Sequence, residues 1–184
     1  PVLPIHLACV LKPPKDVIYS LLRVYPCGAA TPERETGKLP IHLAVLRDAS
    51  SEVIRTLCQA YPTGLRTSDN DGRCPIHYAA VWRDSAICEI LLKIYPASVC
   101  AVDSTEHTVF ELVTMSRNPH KDKVLDVLKT YDASYKNNQR NRQHKSRPPK
   151  EIEGIKTSAE RTTTTVKSIS KSLQHRLQQK YISQ

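Results

Sequence analysis

Three histidines that recur in the same local sequence are the first residues in this chain to suggest chemistry. His6, His42 and His77 each follow Pro-Ile. Histidine is a common acid–base catalyst and metal ligand, and a helix would place His6 close to Cys9, three residues further on. A catalytic pair also needs a third group to orient the base, and none is apparent. We therefore expect neither a catalytic dyad nor a metal site at these positions.

Other signatures of enzymes are missing from the sequence. The chain has five glycines, and none belongs to a loop that could cradle a phosphate. Its six cysteines form no Cys-x-x-Cys pair and no spacing that suits zinc. We predict a protein without catalytic residues, metal or cofactor. The cysteines favour reduced core thiols in an intracellular protein, cytoplasmic or nuclear, over a disulfide framework.

The chain repeats itself with a period of thirty-odd residues. Pro-Ile-His begins at Pro4, Pro40 and Pro75, with spacings of 36 and 35, and Tyr-Pro follows later in each copy. In residues 17–25 apolar side chains recur at i, i+1, i+4, i+5 and i+8, which predicts a second helix with one apolar face. Such self-similarity predicts a stacked array of helix pairs. The second helices should begin behind polar caps at Asp16, at Ser50 or Ser51, and at Ser85.

The third copy resembles an ankyrin repeat, whose pattern is D-x-x-G-x-T-P-L-H-x-A-A followed by a second helix. The matching positions are Asp69, Gly72, Pro75, His77, Ala79 and Ala80. The copies depart from the pattern at the Thr, which is Cys74 here, and in ending the second helix with Tyr-Pro. The resemblance covers residues 1–135 and implies an all-α, ankyrin-like helical-repeat solenoid. Its four units would span about 1–30, 31–66, 67–100 and 101–135.

The fourth unit has drifted from the motif. Glu106 replaces the turn glycine, and Thr108, Val109, Phe110 and Glu111 stand where Pro-Ile-His is expected. Asn118-Pro119 is expected to restart a helix. An atypical, more polar terminal unit is what an array needs as a cap.

The resemblance also implies roles for individual residues. In this family the repeated histidine is structural and hydrogen-bonds the turns that link neighbouring units. The structural motif here comprises Pro4, His6, Pro40, His42, Pro75 and His77, with Tyr25, Tyr61 and Tyr95 at the helix ends. Ankyrin repeats bind proteins with their turn tips and first-helix surface. Carried over by position, these are Glu35, Thr36, Lys38, Leu46, Arg47, Asn70, Asp71, Arg73, Val81, Trp82, Ser104, Thr105 and His107.

Two aromatic features allow alternatives. Trp82, the only tryptophan, would anchor a partner if it is exposed in a groove, and would be core if it is buried between units. The three tyrosines could form an aromatic ladder for a ligand. Packing at the end of each second helix, with proline as the stop, is favoured.

The basic excess of the chain lies entirely in its tail. Residues 1–135 contain 15 Lys+Arg and 15 Asp+Glu, whereas residues 136–184 contain 12 and 3. Residues 136–150 have nothing apolar to bury and predict a disordered basic linker, either simply solvated or a nuclear-import or polyanion-binding patch. Residues 151–184 carry a heptad-like seam from Ile152 to Leu173. This seam predicts a coiled coil that self-associates through 151–181, or else a lone amphipathic helix or disorder.

These observations lead to one favoured function and one alternative. The favoured function is a non-catalytic scaffold that binds an unidentified protein on the repeat array. The alternative is a polyanion binder, in which residues 136–180 hold nucleic acid or an acidic membrane surface. No apolar run is long enough for a membrane span. The first repeat begins at Pro4 without a preceding turn, so we expect a fragment of a longer protein.

Overall fold

The repeated segments fold into successive helix pairs. The computed structural model describes residues 2–12 and 14–145, and there the regular elements are helices, apart from one isolated bridge between Val102 and Thr108. The pairs are α1 (Pro4–Leu11) with α2 (Lys15–Val24), α3 (Pro40–Leu46) with α4 (Ser51–Ala60), α5 (Pro75–Trp82) with α6 (Ser85–Ile94), and α7 (Val109–Met115) with α8 (Lys121–Lys145). The all-α repeat fold expected from the sequence is confirmed.

The helices of successive pairs lie in two rows. The first helices pack in order, α1 against α3, α3 against α5 and α5 against α7, and the second helices α2, α4 and α6 form the other row. The three histidine-bearing segments are therefore neighbours. The predicted apolar stripe is buried in α4, where Val53, Ile54, Leu57 and Cys58 are at most 3% exposed. In α2, only Ile18 of the stripe is fully buried and Val17 is 42% exposed, so the prediction for residues 17–25 holds only in part.

The first helices α1, α3 and α5 begin in the same way. An extended residue precedes a proline at the first helical position, where the missing N–H costs no helical hydrogen bond. In α7 the helix start uses a different chemistry. The Thr108 amide donates to Glu111 Oε2 at 2.7 Å, and the Glu111 amide donates to Thr108 Oγ1 at 3.2 Å. This reciprocal capping box replaces the Pro-Ile-His motif in the drifted unit.

The second helices differ in their caps. Ser50 caps α4 by accepting from the Val53 amide at 3.4 Å, as expected. The cap of α6 is Asp84, one residue before the predicted Ser85, and it accepts from the Ile87 amide at 3.1 Å. Asp16 lies inside the first turn of α2, behind Pro14, so the prediction that it caps α2 is wrong. A carboxylate in a first turn still favours the helix through the helix dipole.

Tyr-Pro ends each of the first three second helices. After Tyr25, Tyr61 and Tyr95 the chain enters a 3-10 turn of five residues: Pro26–Ala30, Pro62–Arg66 and Pro96–Cys100. Tyr61 and Tyr95 are half-buried against the core, whereas Tyr25 is 50% exposed.

The last helix is longer than the sequence predicts. We expected a disordered linker from Lys136, but α8 continues to Lys145, so that expectation is wrong for residues 136–145. Val124 and Leu128 anchor the helix in the core. Extension of an existing helix avoids the nucleation cost, and the Lys136–Asp132 ion pair at 2.7 Å supports the next turn. Residues 146–150 and the possible helix at 151–184 lie outside the described residues. No helix in the described part is long and apolar enough to cross a bilayer.

Two glycines allow the turn tips to stack. Gly37 and Gly72 have φ of 69° and 73°. A Cβ on Gly72 would lie 2.4 Å from the Ser104 amide nitrogen of the next unit, and one on Gly37 would lie 2.3 Å from Asn70 Oδ1. Glu106 has the same left-handed backbone, with φ of 63°, but it is exposed. In the described residues no following unit packs over it, so a side chain fits there.

We expect Gly72→Ala to destabilise the array by at least about 2 kcal/mol, because left-handed strain adds to a backbone clash. Urea unfolding followed by circular dichroism measures this change. Glu106→Gly is the matched control, since it relieves the same strain where no neighbour intrudes, and it should not lower stability. An unchanged urea midpoint for Gly72→Ala would contradict the stacking argument.

Candidate functional site

The repeated histidines each join two parts of the chain. His42 is fully buried; its Nδ1 accepts from the Leu39 amide at 3.0 Å and its Nε2 lies 3.1 Å from the Thr67 carbonyl oxygen. His6 makes the equivalent contacts with Leu3 at 3.1 Å and Thr31 at 2.9 Å. One neutral tautomer, with the proton on Nε2, satisfies both bonds. The ring thus ties the start of a first helix to the segment that leads into the next unit.

The third histidine differs at one nitrogen. His77 Nδ1 accepts from the Cys74 amide at 3.0 Å, but Nε2 is buried without a hydrogen bond of good geometry. The Ala101 carbonyl is the acceptor equivalent to those of Thr31 and Thr67. The segment from His77 to Ala101 is one residue shorter than the corresponding segments that begin at His6 and His42. Burial lowers the pKa of all three histidines, that of His42 to about 4.

The arrangement of His6 and Cys9 is unsuited to nucleophilic chemistry. Both ring nitrogens of His6 are engaged by backbone groups. Burial raises the pKa of the Cys9 thiol to about 12, whereas the thiolate is the reactive form. All six cysteines are unpaired, and Cys9, Cys58, Cys74 and Cys88 are buried.

A buried polar cluster joins units two and three. The Asp69 carboxylate, whose side chain is 0% exposed, accepts a hydrogen bond from Tyr78 Oη at 2.5 Å and lies 3.1 Å from Lys38 Nζ. It also accepts from the Asp71 and Arg73 amides at 3.0 Å. Burial and the bond to Asp69 raise the pKa of Tyr78 to about 12, so the phenol keeps its proton. The pattern repeats one unit later, where Arg73 Nε lies 3.3 Å from Asp103 Oδ2.

A second set of ion pairs and hydrogen bonds joins the turns that lie between the first and second helices of the units. Asp48 pairs with Lys12 Nζ at 3.0 Å and with Arg83 Nη1 at 2.7 Å. The Asn118 amide donates to the carbonyls of Ala80 and Arg83, at 3.0 and 2.8 Å. In each unit a turn connects the first helix to the second, and these contacts fix each of the four turns to the turn of the neighbouring unit.

A groove of the array lies between α5 and α7. It encloses about 500 Å³ and is lined mostly by apolar side chains. Trp82 and Met115 are each 67% exposed there. Among the predicted partner-binding residues, Arg73, Val81 and Trp82 line this α5–α7 groove. Of the two alternatives for Trp82, the structure places it in the exposed one.

A smaller groove lies between α1 and α3. It encloses about 360 Å³ and is lined by four other predicted residues, Thr36, Lys38, Leu46 and Arg47. Unit one contributes the exposed apolar side chains Val2, Leu7 and Val10. We refer to the two grooves together as the recognition face.

The remaining predicted residues belong to the turn tips. Glu35, Asp71 and Ser104 are exposed. The Asn70 side-chain Nδ2 donates to the Glu35 carbonyl at 2.9 Å, and the Asn70 backbone amide donates to the Thr36 carbonyl at 3.0 Å. Thr105 Oγ1 lies 2.6 Å from both Asp103 Oδ1 and His107 Nδ1. The polar groups of Asn70, Thr105 and His107 therefore hold the turns.

Several residues that line the two grooves were not predicted from the sequence. Leu112, Met115 and Arg117 line the α5–α7 groove, and unit one lines the other. Met115 lies 34 residues after Val81, which is one repeat. That spacing was the available signal, but without Pro-Ile-His in unit four it was not extended to α7.

Comparison with known families agrees with this geometry. A family model described as ankyrin repeats, in three copies, matches residues 5–103. The chain belongs to the ankyrin repeat family. Ankyrin repeats are generally protein-interaction modules and are typically not catalytic. No curated protein matches the chain. In the described part of this ankyrin array, no three His, Cys, Asp or Glu side chains gather in a way that could hold a metal ion.

The buried histidines make the stability of the ankyrin array depend on pH. The folded pKa of His42, about 4, lies below its ordinary 6.5. Between these values the unfolded chain binds the proton and the folded chain does not, so stability falls as pH decreases from 6.5 towards 4. The loss attributable to His42 is up to about 3 kcal/mol.

We therefore expect urea unfolding at pH 7.5, 6.0 and 5.0 to show falling stability, with a shallower fall for His42→Gln. The exposed His120→Gln is the matched control and should retain the parent slope. A parent chain equally stable at pH 7.5 and 5.0 would contradict this prediction.

Proposed function

We propose that the ankyrin array is a non-catalytic scaffold that binds a protein partner on its recognition face, with Trp82 as the anchor. One observation carries the proposal. A 67% exposed tryptophan stands beside a 67% exposed methionine in a groove of about 500 Å³. Tryptophan is among the residues that most often dominate interface energy, and clustered exposed apolar side chains mark interaction sites.

The surrounding contacts support this role for the groove. Tyr78 and His77, which line the groove, are buried, and each makes a hydrogen bond within unit three, Tyr78 to Asp69 and His77 to the Cys74 amide. Asn118 ties the loop after α7 to the end of α5. The groove is therefore formed before a partner arrives, and preorganisation lowers the ordering cost of binding.

Trp82→Ala is expected to weaken partner binding by at least about 2 kcal/mol while leaving the fold intact. Tyr19→Ala is the matched control, because Tyr19 is 60% exposed but lies on α2, outside both grooves. Quantitative affinity capture with the full chain and both variants measures the effect, and thermal melts verify folding. Partners retained equally by Trp82→Ala and the parent chain would count against the proposal.

The basic end of the chain supports a second candidate, a polyanion-binding function. Residues 136–145 of α8 include four Lys or Arg residues and no Asp or Glu. This function and the scaffold are separable, since polyanion affinity falls steeply with salt through counterion release.

Truncation after Tyr135 is expected to abolish salt-sensitive binding to heparin or RNA, because it removes 12 of the 27 Lys+Arg residues. Elution from heparin and RNA titrations at several salt concentrations measure the loss. Trp82→Ala in the full chain is the control and should elute as the parent does. Unchanged salt-dependent binding by the truncated chain would exclude the tail as the polyanion site.

A further inference from the structure

Arginines stand on both sides of the Trp82 anchor. Arg47 directly follows α3, at the repeat position that Trp82 occupies one unit later. Arg117 follows the end of α7 and lines the α5–α7 groove. Both side chains are exposed. No acidic side chain lines the α5–α7 groove, whereas the α1–α3 groove, which Arg47 lines, also includes Glu33.

These two arginines differ from the cations that hold the array together. Lys38, Arg73 and Arg83 each pair with a carboxylate of a neighbouring unit, at 3.1, 3.3 and 2.7 Å. Within the described residues, Arg47 and Arg117 have no carboxylate at ion-pair distance. Their positive charges are therefore not used in stacking and remain available to a ligand.

We propose that the occupant of the recognition face is an acidic protein segment, in which a bulky apolar side chain packs on Trp82 and Met115 and Asp or Glu residues on either side pair with Arg47 and Arg117. Arginine recognises carboxylates through paired, charge-assisted hydrogen bonds. The inference rests on the proposed function and adds to it the chemistry of the partner.

The stacking sets the length of this segment. Neighbouring packed helices lie about 8–10 Å apart, so the two steps from α3 through α5 to α7 span roughly 20 Å. An extended chain covers that distance in about six residues. The two acidic groups should therefore lie about six residues apart, with the apolar residue between them.

The lining favours a protein segment over a nucleic acid. Val81, Leu112 and Met115 offer aliphatic and thioether surface beside Trp82, which suits apolar side chains. Phosphate backbones are held by several cations that follow the strand, whereas among the Lys and Arg side chains that line the two grooves in the described part of the chain, only Arg47 and Arg117 have no carboxylate partner.

The test selects ligands and then measures them. A random dodecapeptide library is panned on the full chain, with counter-selection on Trp82→Ala. Selected peptides are synthesised with their Asp and Glu residues intact or replaced by Asn and Gln. Trp82, the only tryptophan, reports binding through its own fluorescence when the peptides lack tryptophan. Arg117→Gln and Arg47→Gln are compared with Arg55→Gln, an exposed arginine on α4.

We expect the selected peptides to carry acidic residues on both sides of an apolar one. Arg117→Gln should weaken binding of the acidic peptide about tenfold and leave binding of the amide version unchanged. Arg55→Gln should have no effect on the binding of either peptide. Trp82-dependent peptides that lack acidic residues, or that bind Arg117→Gln and Arg47→Gln as well as the parent, overturn this inference alone. Polyuridylate that displaces the peptides in an Arg117-dependent way also overturns it. Failure to obtain any Trp82-dependent peptide counts against the proposed function itself.

Discussion

The structure depends on neutral imidazoles buried where the first helices α1, α3 and α5 begin. One ring nitrogen accepts the N-cap amide, and the other approaches the carbonyl of the segment that leads into the next unit, as His42 does with Leu39 and Thr67. These bonds close a link between residues 25 positions apart. Because a helix pair of this length cannot bury its apolar faces alone, the link fixes how each unit meets its neighbour. Protonation of the ring would place a positive charge where, in the described residues, no carboxylate pairs with it directly.

The regular stacking explains how separate short helices form one recognition face. Buried pairs such as Lys38–Asp69 and the connector line through Asp48 and Arg83 hold successive units in register. The first helices then line up across units, so that Arg47 directly after α3, Trp82 at the end of α5 and Met115 at the end of α7 lie along one side. The α5–α7 groove lies between two such neighbouring helices and is lined by side chains of both helices and of the loop that follows α7.

Local features were predictable from the sequence, while contacts between units were not. The phase of Pro-Ile-His predicts where α1, α3 and α5 begin, and the apolar stripe predicts the buried face of α4, because both are properties of a single helix. The Lys38–Asp69–Tyr78 cluster joins residues from two units, and its geometry depends on the rotation between them. For the same reason the residues that α7 contributes to the α5–α7 groove were not predicted from the sequence. The length of α8 was missed because composition alone describes Lys136 onwards as unstructured, whereas a helix already anchored by Val124 and Leu128 extends cheaply.

Glu106 has a consequence for how such proteins lengthen. Its backbone is left-handed like those of Gly37 and Gly72, and a Cβ on either glycine would collide with the turn of the next unit. A further repeat that stacked on this turn in the same way would therefore meet the Glu106 side chain, and substitution of Glu106 by glycine would remove that obstacle.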